Sequence, residues 1–194
     1  SEVSPNGGSA SIFAGGGGLN GPYGLAFNSQ GDLFVGNAFG GSTSISEITP
    51  SGVVSTFASG GGLVQPGALA FDSQGDLFVA NLGYINYLSE VKPNGTVITP
   101  FGSSPGFGNF FGLAFDSNGN LFATQPATGD IWEFSPNGTA SLFANLPGVD
   151  GIVFIPEAPA PVPAPPSLTL FALGFFGIGV AWIRRVSKRL ASTG

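Results

Sequence analysis

The carboxylates and amides of this chain recur at fixed positions, and the recurrence limits what chemistry they can do. Asp72-Ser73-Gln74-Gly75-Asp76 and Asp116-Ser117-Asn118-Gly119-Asn120 alternate acids and amides around a glycine, which resembles the donor pattern of a calcium loop. Calcium takes about six to eight converging oxygens and usually a distant bidentate carboxylate, and segments this short supply neither. They read as tight turns in which Asp caps its own backbone and Gly supplies a positive φ. Glu47, Glu90 and Glu133 also return once per unit. A residue repeated in every unit serves every unit, whereas a ligand site needs residues that differ, so these glutamates read as solvated strand positions. Asn37 and Asn81, at the ends of apolar runs, and Asp150 are the polar groups best placed to line a mouth. No catalytic, cofactor-binding or metal-binding set is expected. The 194 residues contain no His and no Cys, which removes the commonest general base, the commonest zinc ligand and any thiolate.

The elements that must position these groups come from an internal repeat, which is the first thing to establish. Tyr23 begins "YGLAFNSQGDLFVGN", Gly67 begins "GALAFDSQGDLFVAN" and Phe111 begins "FGLAFDSNGNLFATQ", so that Phe27, Phe71 and Phe115 are each 44 residues apart. A second signature runs between them as "EVSPNG" from Glu2, "EITPSG" from Glu47, "EVKPNG" from Glu90 and "EFSPNG" from Glu133. Each unit reads as two hairpins, because short β-rich runs are broken by Asp/Asn/Pro-x-Gly turns. The Leu-Phe-Val runs do not alternate in polarity, which implies strands buried on both faces. Four strands per unit of about 44 residues, stacked between neighbours, predict the blades of an all-β propeller. Three full blades are expected with partial ones at either end of residues 1–155. The sequence has no Met, even at position 1, so an upstream segment is expected and the repeat region reads as N-terminally truncated.

The blade pattern resembles the NHL-like, YVTN and gluconolactonase-like propeller repeats over about residues 1–155. In the gluconolactonase-like members, the residue just before the G-L-A-F element is often an asparagine that helps hold a divalent cation. Those positions are Tyr23, Gly67, Phe111 and Asp150 here, and only Asp150 could bind a metal. This resemblance therefore implies the fold without the enzyme's metal site.

All 11 acids lie before position 158 and four of the five bases lie after position 183, leaving Lys92 alone in the acidic body. Such a body repels a phosphate backbone, so no nucleic-acid partner is expected. From residue 156 to 167 the chain is Pro/Ala-rich and suits a stiff polyproline spacer. The uncharged run from Leu168 to Ile183 follows; as a helix it would span about 24 Å, and with snorkelling arginines it reads as a single transmembrane helix. Residues 184–194 read as a basic cytoplasmic tail. Val162-Pro163-Ala164-Pro165, this helix, and Arg184-Arg185 together resemble the PEP-CTERM sorting signal of exported bacterial proteins. That resemblance implies an exosortase-type processing enzyme as partner and delivery to the cell envelope, surface or extracellular matrix. Ala164 stands where that family has glutamate.

The expectation is thus an exported, non-enzymatic propeller, anchored by its C-terminal helix, that binds carbohydrate or another envelope protein. Two alternatives stay open: a lactonase- or lyase-type propeller enzyme with its active site in missing blades, and a permanently anchored envelope scaffold.

Overall fold

A computed structural model describes residues 12–83, 87–102, 109–153 and 180–182. Each repeat folds as one antiparallel four-stranded sheet in simple sequence order. Blade 1 is β1 (Pro22–Phe27), β2 (Leu33–Asn37), β3 (Ser44–Ile48) and β4 (Val54–Ser59). Blade 2 is β5 (Pro66–Phe71), β6 (Leu77–Asn81), β7 (Leu88–Val91) and β8 (Val97–Phe101). Blade 3 is β9 (Gly112–Phe115), β10 (Leu121–Gln125), β11 (Asp130–Phe134) and β12 (Ala140–Asn145). The short β13 (Gly151–Val153) then begins a fourth unit. The second strands β6 and β10 are buried along their whole length, as their non-alternating sequence requires.

The hairpin turns are fixed by the residues that looked superficially like calcium loops. In blade 2, Asp72 Oδ1 accepts the backbone N–H groups of Gln74 and Asp76, both at 2.9 Å, while Gly75 adopts φ 86°. Blade 3 repeats this with Asp116 and adds side-chain bonds from Asn118 and Asn120 to Asp116 Oδ2. Burial pushes the Asp116 carboxyl up, but the backbone and side-chain hydrogen bonds from Asn120 and Asn118 outweigh it and leave its pKa below the ordinary 3.8.

Blades stack through an aromatic ladder. Phe34 of β2 sits edge-on to Phe57 of its own fourth strand and to Phe71 of the next blade, with ring centroids 4.8 and 4.9 Å away. One blade later, Phe78 meets Phe101 at 4.7 Å and Phe115 at 5.0 Å in the same way. Two clusters of buried apolar side chains fill the spaces between sheets around these wedges. Nearer the axis, at the closest approach of the sheets, there is no room for a side chain. A Cβ on Gly24 would lie 2.1 Å from the Gly67 carbonyl oxygen, so the inner strands approach backbone to backbone. The first strands of successive blades therefore lie side by side, β1 against β5, β5 against β9 and β9 against β13. Blade 1 has no described neighbour on its other face, where Tyr23, Leu25 and Phe27 are more than half exposed.

The tail departs from the helix expected between Leu168 and Ile183. Within that span the structure describes only Val180–Trp182, and these form a strand, β14, paired in parallel with β13. The physical reason lies in β13, whose free edge offers backbone N–H and C=O groups that a Val-Ala-Trp segment satisfies in extended form. Among the described residues, no helix is long and apolar enough to cross a membrane. The rest of the expected helix, the spacer at 156–167, the sorting-signal residues Val162, Pro163, Ala164 and Pro165, and the cations Arg184 and Arg185 lie outside the described residues.

Phe78→Ala, which empties a wedge contacted from two blades, is expected to cost about 3–5 kcal/mol in denaturant unfolding. Phe27→Ala, at the same repeat position as Phe71 but 66% exposed, is expected to cost about 0.5 kcal/mol or less. Because the folded chain lowers the pKa of Asp116, that group stabilises the fold above its unfolded value, and the contribution is lost as the pH falls through the folded one. Unfolding midpoints measured from neutral pH to below about pH 3 are therefore expected to fall further for the wild type than for Asp116→Asn.

Candidate functional site

The inner strands converge at their N-terminal ends, so the repeat position just before each G-L-A-F element lies at the mouth of the axis. In blades 1 and 2 the strand is irregular there. Between Pro22 and Leu25, and again between Pro66 and Leu69, the pairing register shifts. Bulges of this kind re-aim side chains at the rims of barrels and sheets. Tyr23 and Phe111, on blades 1 and 3, meet as an edge-to-face pair with centroids 6.3 Å apart. Both keep part of their surface in solvent, Tyr23 at 52% and Phe111 at 38%. Gly67 holds the intervening position in blade 2 without a side chain. Asp150 stands at the fourth equivalent position, exposed, with its backbone carbonyl accepting the Thr124 hydroxyl at 3.0 Å. This one repeat position thus carries an aromatic pair, a glycine and an exposed carboxylate.

Asn37 and Asn81 lie behind this rim. Asn37 is fully buried: its Oδ1 accepts the Asn20 N–H at 2.9 Å and its Nδ2 donates to Ser44 and Ser46. Asn81 repeats the arrangement, accepting the Val64 N–H and donating to Ser89 and to the Tyr87 carbonyl. In the third blade the place is taken by Gln125, whose Oε1 accepts the Trp132 indole N–H at 3.2 Å. The two asparagines clamp the incoming loop to the second and third strands, and both polar atoms of each amide are engaged there. Asp150 is the sequence-derived candidate whose side chain reaches solvent. The Tyr23–Phe111 pair went unread as a site because its members are bulky apolar residues 88 positions apart. The signal available was their shared repeat position, at which the three blades carry three different residues.

The geometry holds no metal centre among the described residues, where no three His, Cys, Asp or Glu side chains come together. Chemically, an aromatic pair can pack a ring or apolar face, and an exposed carboxylate can accept an N–H or hold a cation.

No family model matches the chain, and no curated protein matches it. Solved structures do. A streptogramin B lyase superposes with a TM-score of 0.58 at 22% identity, over 70% of this chain and 45% of the lyase. The virginiamycin B lyase of Staphylococcus aureus superposes at 0.53 and 16% identity, over 68% of this chain and 44% of its own length. A catalytically inactive histidine-to-alanine variant of that lyase, solved with quinupristin, gives 0.54 at 16% identity over 63% and 40%. The chain therefore spans less than half the length of the structures it matches. These neighbours overturn the expectation of a non-enzymatic binding or matrix module. That expectation rested on the missing histidine and metal-holding asparagine of these blades, yet the neighbours that share the blades are enzymes, and more than half of each lies outside the match. The chain shares the all-β propeller fold of the streptogramin B lyases.

Proposed function

We propose that this chain forms part of a propeller enzyme of the lyase type, in which these blades build one wall of the substrate site at the axial mouth. The observation that carries the reading is the Tyr23–Phe111 pair, at the repeat position that Asp150 occupies in the fourth unit, in a fold shared with lyases. A lyase breaks a bond by removing a proton from one side and protonating the leaving group on the other, work for a base and an acid with pKa values near the operating pH. The chain has no His, and a single histidine-to-alanine change makes the S. aureus lyase inactive. The acid–base residue in this reading comes from blades other than these. Tyr23 and Phe111 hold the apolar face of the substrate, and the Asp150 carboxylate orients a substrate N–H or an associated cation.

Quinupristin is the first substrate to try, using the open reading frame that contains this sequence. Turnover followed by loss of substrate in chromatography is expected, with kcat/KM reduced about tenfold or more by Tyr23→Ala and by Asp150→Asn, in keeping with the loss of a ring contact or a charge-assisted hydrogen bond. Absence of turnover of this and related cyclic substrates, with and without divalent cations, would overturn the reading.

The tail supports a location for this enzyme. In this reading the apolar run from Leu168 to Arg184 and Arg185 exchanges the β13 pairing of Val180–Trp182 for a bilayer and serves there as a C-terminal anchor that leaves the acidic blades outside the inner membrane. Carbonate-resistant membrane association of the full chain, lost when residues 168–194 are deleted, is the expected result. A full chain recovered entirely in the aqueous fraction would contradict it.

A further inference from the structure

At the opposite end of the inner strands from the axial mouth, a cleft of about 760 Å³ opens between blades 1 and 2. Phe34, Phe57 and Phe71 of the aromatic ladder line it, together with Glu47 on blade 1 and Asp72 and Asn94 on blade 2. Glu47 is half-buried on β3, directly across the sheet from Phe34, and its carboxylate takes part in no hydrogen bond or ion pair among the described residues. Asp72 commits Oδ1 to its own turn and leaves Oδ2 without a described partner.

The protein itself shows which group fits such a place, because the next blade has the same construction with a lysine at one of the positions that differ. There Glu90 lies across from Phe78 as Glu47 lies across from Phe34. Lys92 folds back over it, its Nζ donating to Glu90 Oε1 and, at 2.8 Å, to Asp76 Oδ2. Hydrogen bonds to Asp76 first and Glu90 second hold the Lys92 ammonium well above the ordinary lysine pKa. Register identifies the residue of blade 1 that stands where Lys92 stands. Leu77 pairs with Val91 and Leu33 with Ile48, so Thr49 is the counterpart. Both residues also open the same turn, the Thr49 N–H bonding the Val53 carbonyl at 3.0 Å and the Lys92 N–H bonding the Thr96 carbonyl at 2.9 Å. Thr49 spends its hydroxyl on Ser51 and the Val53 N–H. At Asp32, the counterpart of Asp76, the Asn28 amide takes the ammonium's place, donating to Oδ2 at 3.0 Å. No described donor reaches the Glu47 carboxylate, which is partly desolvated and faces an aromatic-lined space.

We propose that this cleft binds a primary ammonium group carried on a short alkyl stem. The ammonium bonds Glu47, with Asp72 across the cleft, while the stem lies along the phenylalanines. An ammonium is a compact charge with three donors on a flexible apolar chain, which matches one unpaired carboxylate above an aromatic floor. A free alkylamine and a lysine side chain of a polypeptide share this chemistry.

The test is a titration of the full chain by NMR with n-pentylammonium and, in a second arm, with Nα-acetyl-lysine amide. Saturable shifts at residues lining the cleft are expected, with a dissociation constant of about 1 mM. Affinity is expected to fall at least about tenfold in Glu47→Gln and in Thr49→Lys, and to weaken in about 1 M salt. Thr49→Lys supplies the internal cation and blocks the site; should that variant unfold, Glu47→Gln decides alone. Pentanol, with the stem but no charge, is expected not to bind. Equal binding of both amines identifies a polypeptide lysine as an acceptable source, and binding of pentylammonium alone restricts the site to free amines. No saturable shift with either amine, or affinity unchanged by Glu47→Gln, overturns the proposal.

Discussion

The stacking of one phenylalanine between two others holds this architecture together. A four-stranded antiparallel sheet of this size has no core of its own, since its strands expose both faces, and stability comes from the neighbour laid against it. Phe34 and Phe78 provide that joint. Each touches the outermost strand of its own blade and the innermost strand of the next. The contact therefore fixes both the internal twist of one sheet and its distance from the following one. Edge-to-face geometry suits the task, because the ring edge is attracted to the neighbouring ring face and so favours one orientation over a sliding stack.

Near the axis the same spacing problem has the opposite solution. Blades radiate from a centre, so the distance between sheets shrinks inward, and side chains that fill the periphery would collide at the inner strand. The Gly24 backbone meets the Gly67 carbonyl at a separation that leaves no space for a Cβ, and Ala70 and Ala80 are among the buried residues of the next interface. The taper from Phe to Ala to Gly is what turns a stack of sheets into a curved array. It also brings the first residues of the inner strands together, and positions such as Tyr23 and Phe111, distant in sequence, share one rim as a result.

Much of the fold was legible because repetition leaves its mark on sequence. Spacing of 44 residues between Phe27, Phe71 and Phe115 marks a unit. The Asp-x-x-Gly turns fix its hairpins, and the unbroken Leu-Phe-Val runs indicate burial on both faces. The site was harder to read because what distinguishes it is departure from the repeat. Asn37 and Asn81 drew attention as polar groups on a strand end, yet burial turns them inward onto Ser46 and Ser89, a direction that polarity alone does not encode. Glu47, Glu90 and Glu133 looked equivalent, although Lys92 makes the second of them different from the first. The segment Val180–Trp182 looked helical within its apolar run, since hydropathy does not record whether a free strand edge such as β13 is at hand to pair with it.

Function in such an array belongs to the residues that break its symmetry. The repeat supplies identical walls, so a position held constant across the blades, such as the turn glycine or the wedge phenylalanine, serves packing in each, and a constant residue such as Glu47 gains a separate character only where a neighbour changes. At the axial rim the chain carries tyrosine, glycine, phenylalanine and aspartate in four successive copies. That sequence gives four different surfaces to one mouth, as an asymmetric small molecule requires. Away from the axis, Thr49, Lys92 and Ser135 occupy one repeat position, and a lysine at the middle one neutralises its own blade. The two ends of the blades thus acquire separate character from a handful of substitutions that leave the aromatic ladder untouched. The substrate handling proposed for the rim and the cation recognition proposed for the cleft can therefore vary independently of stability.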